Sequence, residues 1–329
     1  MLCNNRVKAG YRMFRMSLLC LAAVVALTIA QAAAQPGSAQ PSVAQPGVAQ
    51  PGAAQTSVPY IPPGLSFAGE AVPLNDPLVY DRLERELIKN VYKHSSTLTI
   101  LKRVQRYREP IMSLLTRNKV PADFFYLAAI ESELSPIAES GKAVGFWQFI
   151  ETTAREQGLE MSKYVDERRH LERSTRAASQ QLTSLYNTFK NWTLTAAAYN
   201  GGRTMVLNNL KTQNVQSYYD LYLTPETYDY VFRILAIKLI CENPGRYGFS
   251  LPAAEYSAPT QVVEVRQDIN LVEFARHYNM NYNQLKYFNP WLLYRSSWSP
   301  TDKYYEQNKV LNVMLEVPPG KAYTFEVFK

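Results

Sequence analysis

The sequence predicts a predominantly α-helical domain followed by a small α/β module. Three observations carry that expectation. Apolar residues recur at helical spacing from about Asn75 to Leu251, and no run of strand alternation interrupts them. Near residue 260 the texture changes, and "TQVVEV" alternates as a strand does. A length of 329 residues accommodates one medium domain and one small one.

Residues 1–34 read as a signal peptide. Arg6, Lys8, Arg12 and Arg15 form a basic n-region, "LLCLAAVVALTIA" an apolar run, and "AQAAAQ" a small-residue cleavage region. The run is shorter than the roughly 20 residues of a membrane span; a retained anchor is the alternative. Leu19 before Cys20, and an apolar run that mostly follows it, do not fit a lipid-attachment box. Removing four basic and no acidic residues lowers the formal charge from +7 to +3, which gives no reason to invoke nucleic acid. Cys3 and Cys20 leave with the signal. Cys241 is then alone, without an internal disulfide, and "FRILAIKLICENP" marks it as a buried thiol.

Residues 35–74 read as a disordered linker. The degenerate repeat AQPGS, AQPSV, AQPGV, AQPGA cannot build a core, and "YIPPG" extends its proline-rich character. The helical domain spans 75–255. "DPLVYDRLERELIKNVY" places Leu78, Leu83, Leu87 and Val91 one or two turns apart, with Asn75 or Asp76 as cap and Pro77 at N1. "LTILKRVQRYREPIMSLLTRN" gives one or two helices, interrupted near Pro110. "VPADFFYLAAIESELS" begins with Pro121 and ends before Pro136. "STRAASQQLTSLYNTFK" and "WTLTAAAYNGG" follow, the latter closing on an Asn-Gly pair suited to a C-cap. "TPETYDYVFRILAIKLICENP" is the last long helix. The module, 259–329, comprises the strand "TQVVEV", two short helices in "NLVEFARHYNMNYNQLKYFNPWLL", and a closing strand in "KVLNVMLEVPPG".

The chemistry concentrates in "ESELSPIAESGKAVGFWQF", residues 131–149. A glutamate acting as general acid must hold its proton near neutral pH, and apolar burial raises a carboxyl pKa. Glu131 follows Phe124, Leu127 and Ala128 at helical offsets, whereas Glu133 follows Tyr126, Ala129 and Ile130. Periodicity alone does not choose between them. Two residues apart on a helix, they point in different directions and do not face each other. Glu139 lies beyond Pro136 in a turn and reads as solvated. Trp147 reads most simply as core, and Gln148 offers an amide suited to sugar hydroxyls or to solvent.

Three blocks in order resemble the soluble-type (SLT) lytic transglycosylases of the goose-type lysozyme-like superfamily. The first is Glu131, Ser132, Pro136, Ser140, Gly145, Phe146, Trp147 and Gln148. The second is Ala198, Tyr199, Asn200 and Gly202, and the third is Pro225, Glu226, Thr227, Tyr230 and Val231. With "RYGF" after the last helix, the pattern looks most like the membrane-bound transglycosylase D subgroup, over about residues 105–251. The resemblance implies a lysozyme-like fold with Glu131 as sole acid/base. It implies that Ser132 contacts substrate near the cleaved bond, that Ser140 and Gln148 line a sugar cleft, that Tyr199 and Asn200 form its floor, and that Tyr230 orients Glu131. Two departures stand out. The Ser140-to-Gly145 loop is about one residue short, and Thr204 replaces a second glycine.

The chemistry implied by the resemblance needs no second carboxylate. Glycosidases with two carboxylates use one as nucleophile or as base for water; here no second carboxylate motif has a claim to either role. In the family, the glutamate protonates the glycosidic oxygen, then takes the proton of the C6 hydroxyl of N-acetylmuramic acid as a 1,6-anhydro ring closes. The expected substrate is peptidoglycan glycan strands, with no cofactor and no metal, and the expected location is the periplasm, with or without outer-membrane association. A muramidase hydrolase on the same fold and a non-catalytic peptidoglycan-binding scaffold are the rivals. His94, His170 and His277 lack metal-ligand spacing, and no phosphate loop or nucleophile elbow is present.

Residues 260–329 resemble a LysM-like module, chiefly at Asn289-Pro290 after a short helix. The usual Gly-Asp-Thr turn is replaced by Arg266, Gln267 and Asp268, and "LYRSSWSPTDKYYEQNK" is inserted before the last strand. Trp291, Trp298, Tyr304 and Tyr305 are candidates for stacking on sugars; packing onto the catalytic domain is the alternative.

Overall fold

The computed structural model describes residues 57–252, 259–293 and 314–329. The signal peptide, the repeat, Trp298, Tyr304 and Tyr305 lie outside them.

The first described segment differs from the linker expectation. Residues 57–74 pack on the helical domain, with Ile61, Leu65, Phe67 and Val72 buried. Strands β1 (Ser66–Phe67) and β2 (Glu70–Ala71) form a short hairpin. Its Glu70 carboxylate accepts the backbone N–H groups of Trp192 (2.5 Å) and Thr193 (2.9 Å), at the positive end of a helix described below. The Phe67 ring meets Phe124 edge-on at 5.2 Å. Proline-rich composition conceals these two anchors, which work only across more than 50 residues of sequence.

Helix α1 (Pro77–Tyr92) is capped by Asp76, whose Oδ1 accepts from the Leu78 N–H at 2.8 Å. Its buried stripe runs through Val79, Leu83, Leu87 and Val91, while Leu78 is exposed. Helix α2 (His94–Arg117) passes unbroken through Pro110, contrary to the predicted interruption. Pro110 deletes one i→i−4 bond, to the Arg106 carbonyl, on a partly exposed side of the helix where solvent can replace it. Helix α3 (Phe124–Ser132) is buried on all sides from Phe124 to Ala129, the mark of a central helix. That is why periodicity could not separate Glu131 from Glu133.

Beyond α3, strands β3 (Glu139–Ser140) and β4 (Ala143–Val144) pair antiparallel, Ser140 opposite Ala143. Helices α4 (Glu151–Glu156), α5 (Leu171–Phe189), α6 (Trp192–Gly201), α7 (Arg203–Gln213) and α8 (Pro225–Glu242) complete the domain. Helix α7 carries Thr204 and has a weakly amphipathic sequence, so its pattern gives little warning of it. Helix α8 packs against α1, α3 and α6, and Cys241 near its end is buried, with the thiol pushed up to about 12 by desolvation.

In the module, β5 (Thr260–Val265) pairs antiparallel with β8 (Tyr323–Phe328) from Thr260↔Phe328 to Val265↔Tyr323. Between them run β6 (Ile269–Asn270), α9 (Leu271–His277), α10 (Tyr282–Phe288) and β7 (Met314–Leu315). An Asn281–Gln284 capping box starts α10. The expected closing strand is represented by β7, but the strand that pairs with β5 is β8, whose alternation of buried Tyr323, Phe325 and Val327 is plain in the sequence.

Candidate active site

Glu131 stands on the last turn of α3, where the chain leaves the helix through two successive left-handed residues, Glu133 (φ 52°) and Leu134 (φ 57°). Left-handed backbone at two non-glycine residues is costly, and here it has a visible consequence. The Glu133 side chain turns to α2, where the Ser96 hydroxyl donates to its carboxylate, and Arg103 donates to the Glu133 carbonyl at 2.9 Å. Glu131 lines a cavity of about 350 Å³, to which Glu133 also contributes, and takes its hydrogen bond from a different element. The two carboxylates therefore have different partners, and it is the left-handed exit of the chain, with Glu133 beyond the helix end, that separates them.

Burial raises the pKa of Glu131, the largest influence being desolvation. A hydrogen bond from Tyr230 and the charge of Arg233 pull it down, and Glu226 pushes it up. The net shift is upward, and the negative C-terminal pole of the α3 dipole acts in the same sense. Tyr230, on α8 and 1% exposed, donates its hydroxyl to Glu131 Oε1. Desolvation, then the Glu131 charge, raises the phenol well above its usual range, so it remains a donor. Such an arrangement suits a carboxyl group that gives up a proton and recovers one.

The opposite wall is the β3–β4 hairpin. Its two-residue turn, Gly141-Lys142, has positive φ only at Gly141 (59°), as a type II′ turn requires. Chain return therefore takes the fewest residues a hairpin allows, which accounts for the short Ser140-to-Gly145 loop. Gly145 is obligatory for two reasons: its φ is 83°, and a Cβ there would lie 2.0 Å from the Arg168 carbonyl oxygen. Arg168 reaches the Lys142 carbonyl (3.3 Å) and the Phe149 carbonyl (3.2 Å), and is itself held by Asp166 at 2.9 and 2.7 Å. Arg169 pairs with Glu139, so that carboxylate is exposed but engaged. Neither arginine was singled out in the sequence; "DERRH" carries no motif, and its partners are defined only by the fold.

Of the predicted site residues, Glu131, Ser132, Ser140 and Gln148 meet at this cavity. Ser132 is 5% exposed, and its hydroxyl lies 2.8 Å from the Phe146 carbonyl and 3.1 Å from the Ala128 carbonyl, so its proton is engaged with backbone. Gln148, at φ 48°, donates its amide to the Gly145 (2.9 Å) and Ala138 (3.2 Å) carbonyls; its amide oxygen remains for a ligand. Tyr199, Asn200 and Tyr230 stand behind the wall. Tyr199 donates to the Trp147 carbonyl at 2.8 Å and so fixes the peptide leading into Gln148. Asn200 bridges α6 to α8, accepting from Thr227 at 2.7 Å and donating to Glu226 at 3.2 Å. Trp147 is fully buried, its indole N–H on Thr175 at 3.1 Å.

The structure corrects one expectation in the module. Trp291 is 3% exposed, with Tyr323 stacked at 5.6 Å, Phe325 at 5.1 Å and His170 at 5.7 Å. Neither indole face is open to a sugar. Its carbonyl accepts the Asp166 N–H at 2.8 Å, and Val165 of the helical domain belongs to the same apolar cluster. His170, at this junction, is lowered to about 4 by desolvation and by Arg173. The segment clamped by the module, 160–170, is the one whose arginines contact the β3–β4 hairpin and Phe149.

Comparison with known proteins finds related sequences for both parts of the chain. The model of the transglycosylase SLT domain family matches residues 110–221. Residues 110–221 are thus similar to SLT domains. The chain's lysozyme-like, mostly helical body is followed at residues 261–308 by a match to the soluble lytic transglycosylase C-terminal LysM-like domain. The chain is also 31% identical over 224 residues, 66% of its length, to the membrane-bound lytic murein transglycosylase D of Escherichia coli K12. The protein of the same name from E. coli O6:H1 gives the same figures. The chain spans about half, 48%, of the length of these relatives. The SLT match includes α3, the β3–β4 hairpin and α6, and ends before α8, which supplies Tyr230.

Proposed function

We propose that this chain is a peptidoglycan lytic transglycosylase, a glycan lyase that cleaves the bond between N-acetylmuramic acid and N-acetylglucosamine without water. The reading rests above all on Glu131, a cavity-wall carboxyl group raised by burial and held by the Tyr230 hydroxyl. The other carboxylates at the cavity are engaged, Glu133 by Ser96 and Glu139 by Arg169. A two-carboxylate glycosidase needs a second carboxyl group placed as nucleophile or as base for water.

In the proposed reaction, protonated Glu131 gives its proton to the glycosidic oxygen as the bond to C1 breaks and oxocarbenium-like charge develops there. The Glu131 carboxylate then takes the C6 hydroxyl proton, and that oxygen bonds to C1, closing the 1,6-anhydro ring. Glu131 ends protonated, as it began. A nucleophile already on the substrate brings an effective molarity of about 10⁵ M or more when well oriented. Tyr230 orients the carboxyl group, and Gln148 and Ser140 hold the sugars. The LysM-like module is a second contact with the same polymer through surfaces other than Trp291. The basic and apolar pattern of residues 1–34 supports export to the envelope.

Digestion of purified sacculi tests the reaction class. Mass spectrometry should find anhydro-muropeptides one water lighter than their reducing-end counterparts. Reducing ends alone would replace the lyase with a hydrolase, and no soluble product would favour a binding protein.

A further inference from the structure

We infer that Arg103 is a carboxylate-binding residue of the cleft, which reads the anionic substituents of the muramyl residues. The inference rests on the peptidoglycan reading above.

Arg103 lies on α2, outside the three sequence blocks. It is the one basic side chain among the described residues lining the cavity that holds Glu131. One guanidinium nitrogen donates to the Glu133 carbonyl at 2.9 Å, which fixes the group at the mouth of the catalytic helix. A guanidinium has five N–H donors in a planar fork, so most remain for a ligand. Among the described residues no carboxylate forms an ion pair with Arg103. The neighbouring acids are otherwise engaged, Glu139 with Arg169 and Glu133 with Ser96. The result is a half-buried, anchored cation on the wall of the cavity that holds Glu131, with no ion pair to a carboxylate among the described residues.

Glycan hydroxyls and N-acetyl groups are neutral and do not call for such a charge. A carboxylate does, and the fork of arginine matches its two oxygens. Muramyl residues carry carboxylates from two sources. A stem peptide bears free carboxylates, and a residue stripped of its stem exposes the lactyl carboxylate.

The test compares wild type, Arg103→Gln and Arg103→Lys, each checked for folding by circular dichroism. The substrates are intact glycan strands, amidase-stripped strands, and intact strands whose carboxylates have been converted to amides. Arg103→Gln should raise KM about tenfold on carboxylate-bearing strands, the worth of one charge-assisted hydrogen bond, with kcat changed far less. Arg103→Lys should fall between. On amidated strands the three enzymes should converge, because the partner charge is gone. A difference on intact strands assigns the contact to the stem; one confined to stripped strands assigns it to the lactyl carboxylate. Equal losses on charged and amidated strands would overturn the inference, reducing Arg103 to a brace for Glu133, as would unchanged KM on every strand. Failure of wild type to form anhydro products would instead remove the underlying reading.

Discussion

Replacing Tyr230 by Phe removes one oxygen atom and leaves the buried ring in place. The hydroxyl lost is the donor to Glu131 Oε1, and the site around it is largely desolvated. A hydrogen bond to a charged group contributes about 1.5–3 kcal/mol. At about 1.36 kcal/mol per tenfold in rate, Tyr230→Phe should lower kcat/KM by roughly 10- to 150-fold. The pH profile gives an independent sign. The Tyr230 bond favours the ionised carboxylate and lowers the Glu131 pKa against the upward push of desolvation. Without it the pKa rises further, so the basic limb of the kcat/KM profile, which reports the acid in its protonated form, moves to higher pH. The assay is anhydro-muropeptide release from sacculi across a pH series, with melting temperature as the control for folding. Unchanged kcat/KM, or a basic limb displaced to lower pH, would refute the role given to Tyr230.

Two other substitutions probe the energetics. Glu131→Gln should stabilise the fold at neutral and alkaline pH. The folded pKa lies above the unfolded value, so ionisation destabilises the native state progressively as pH rises past about 4.3 and through the folded pKa. A gain of about 0.5–2 kcal/mol, typical of relieving a strained site, should appear in calorimetry at pH 8 and vanish in acid. A gain independent of pH would contradict the assigned cause. Trp291→Ala should cost about 3–5 kcal/mol, the range for a buried aromatic, while sacculus binding by the folded protein at low temperature is retained. Loss of binding without loss of stability would show that the indole meets glycan after all.

Most of the helical domain was legible because its signals are local. Asp76 and Pro77 mark the start of α1, and Pro225 marks that of α8. The grouping of Glu131, Ser132, Ser140 and Gln148 was legible for the same reason, since 18 residues contain it. Contacts between distant segments were not. Glu70 looks like part of a proline-rich tether until α6 is present to receive it. Arg168 reaches the hairpin from a loop held by Asp166, whose N–H in turn bonds the Trp291 carbonyl of the module. Pro110 carries a helix-breaking signal in the sequence, and what the sequence does not show is that the carbonyl it leaves unpaired, on Arg106, lies at an exposed position. Trp291 stays ambiguous in the sequence because composition does not distinguish an aromatic that faces a sugar from one that faces Tyr323.

The central claim is that one carboxyl group, Glu131, both gives and takes the proton. Glu131→Gln keeps the shape and removes both capacities, so the most direct measurement is mass spectrometry of sacculi digested with this variant, its fold verified by melting temperature. The account predicts that anhydro-muropeptides disappear from the digest. Release at the wild-type rate by the folded variant would contradict it.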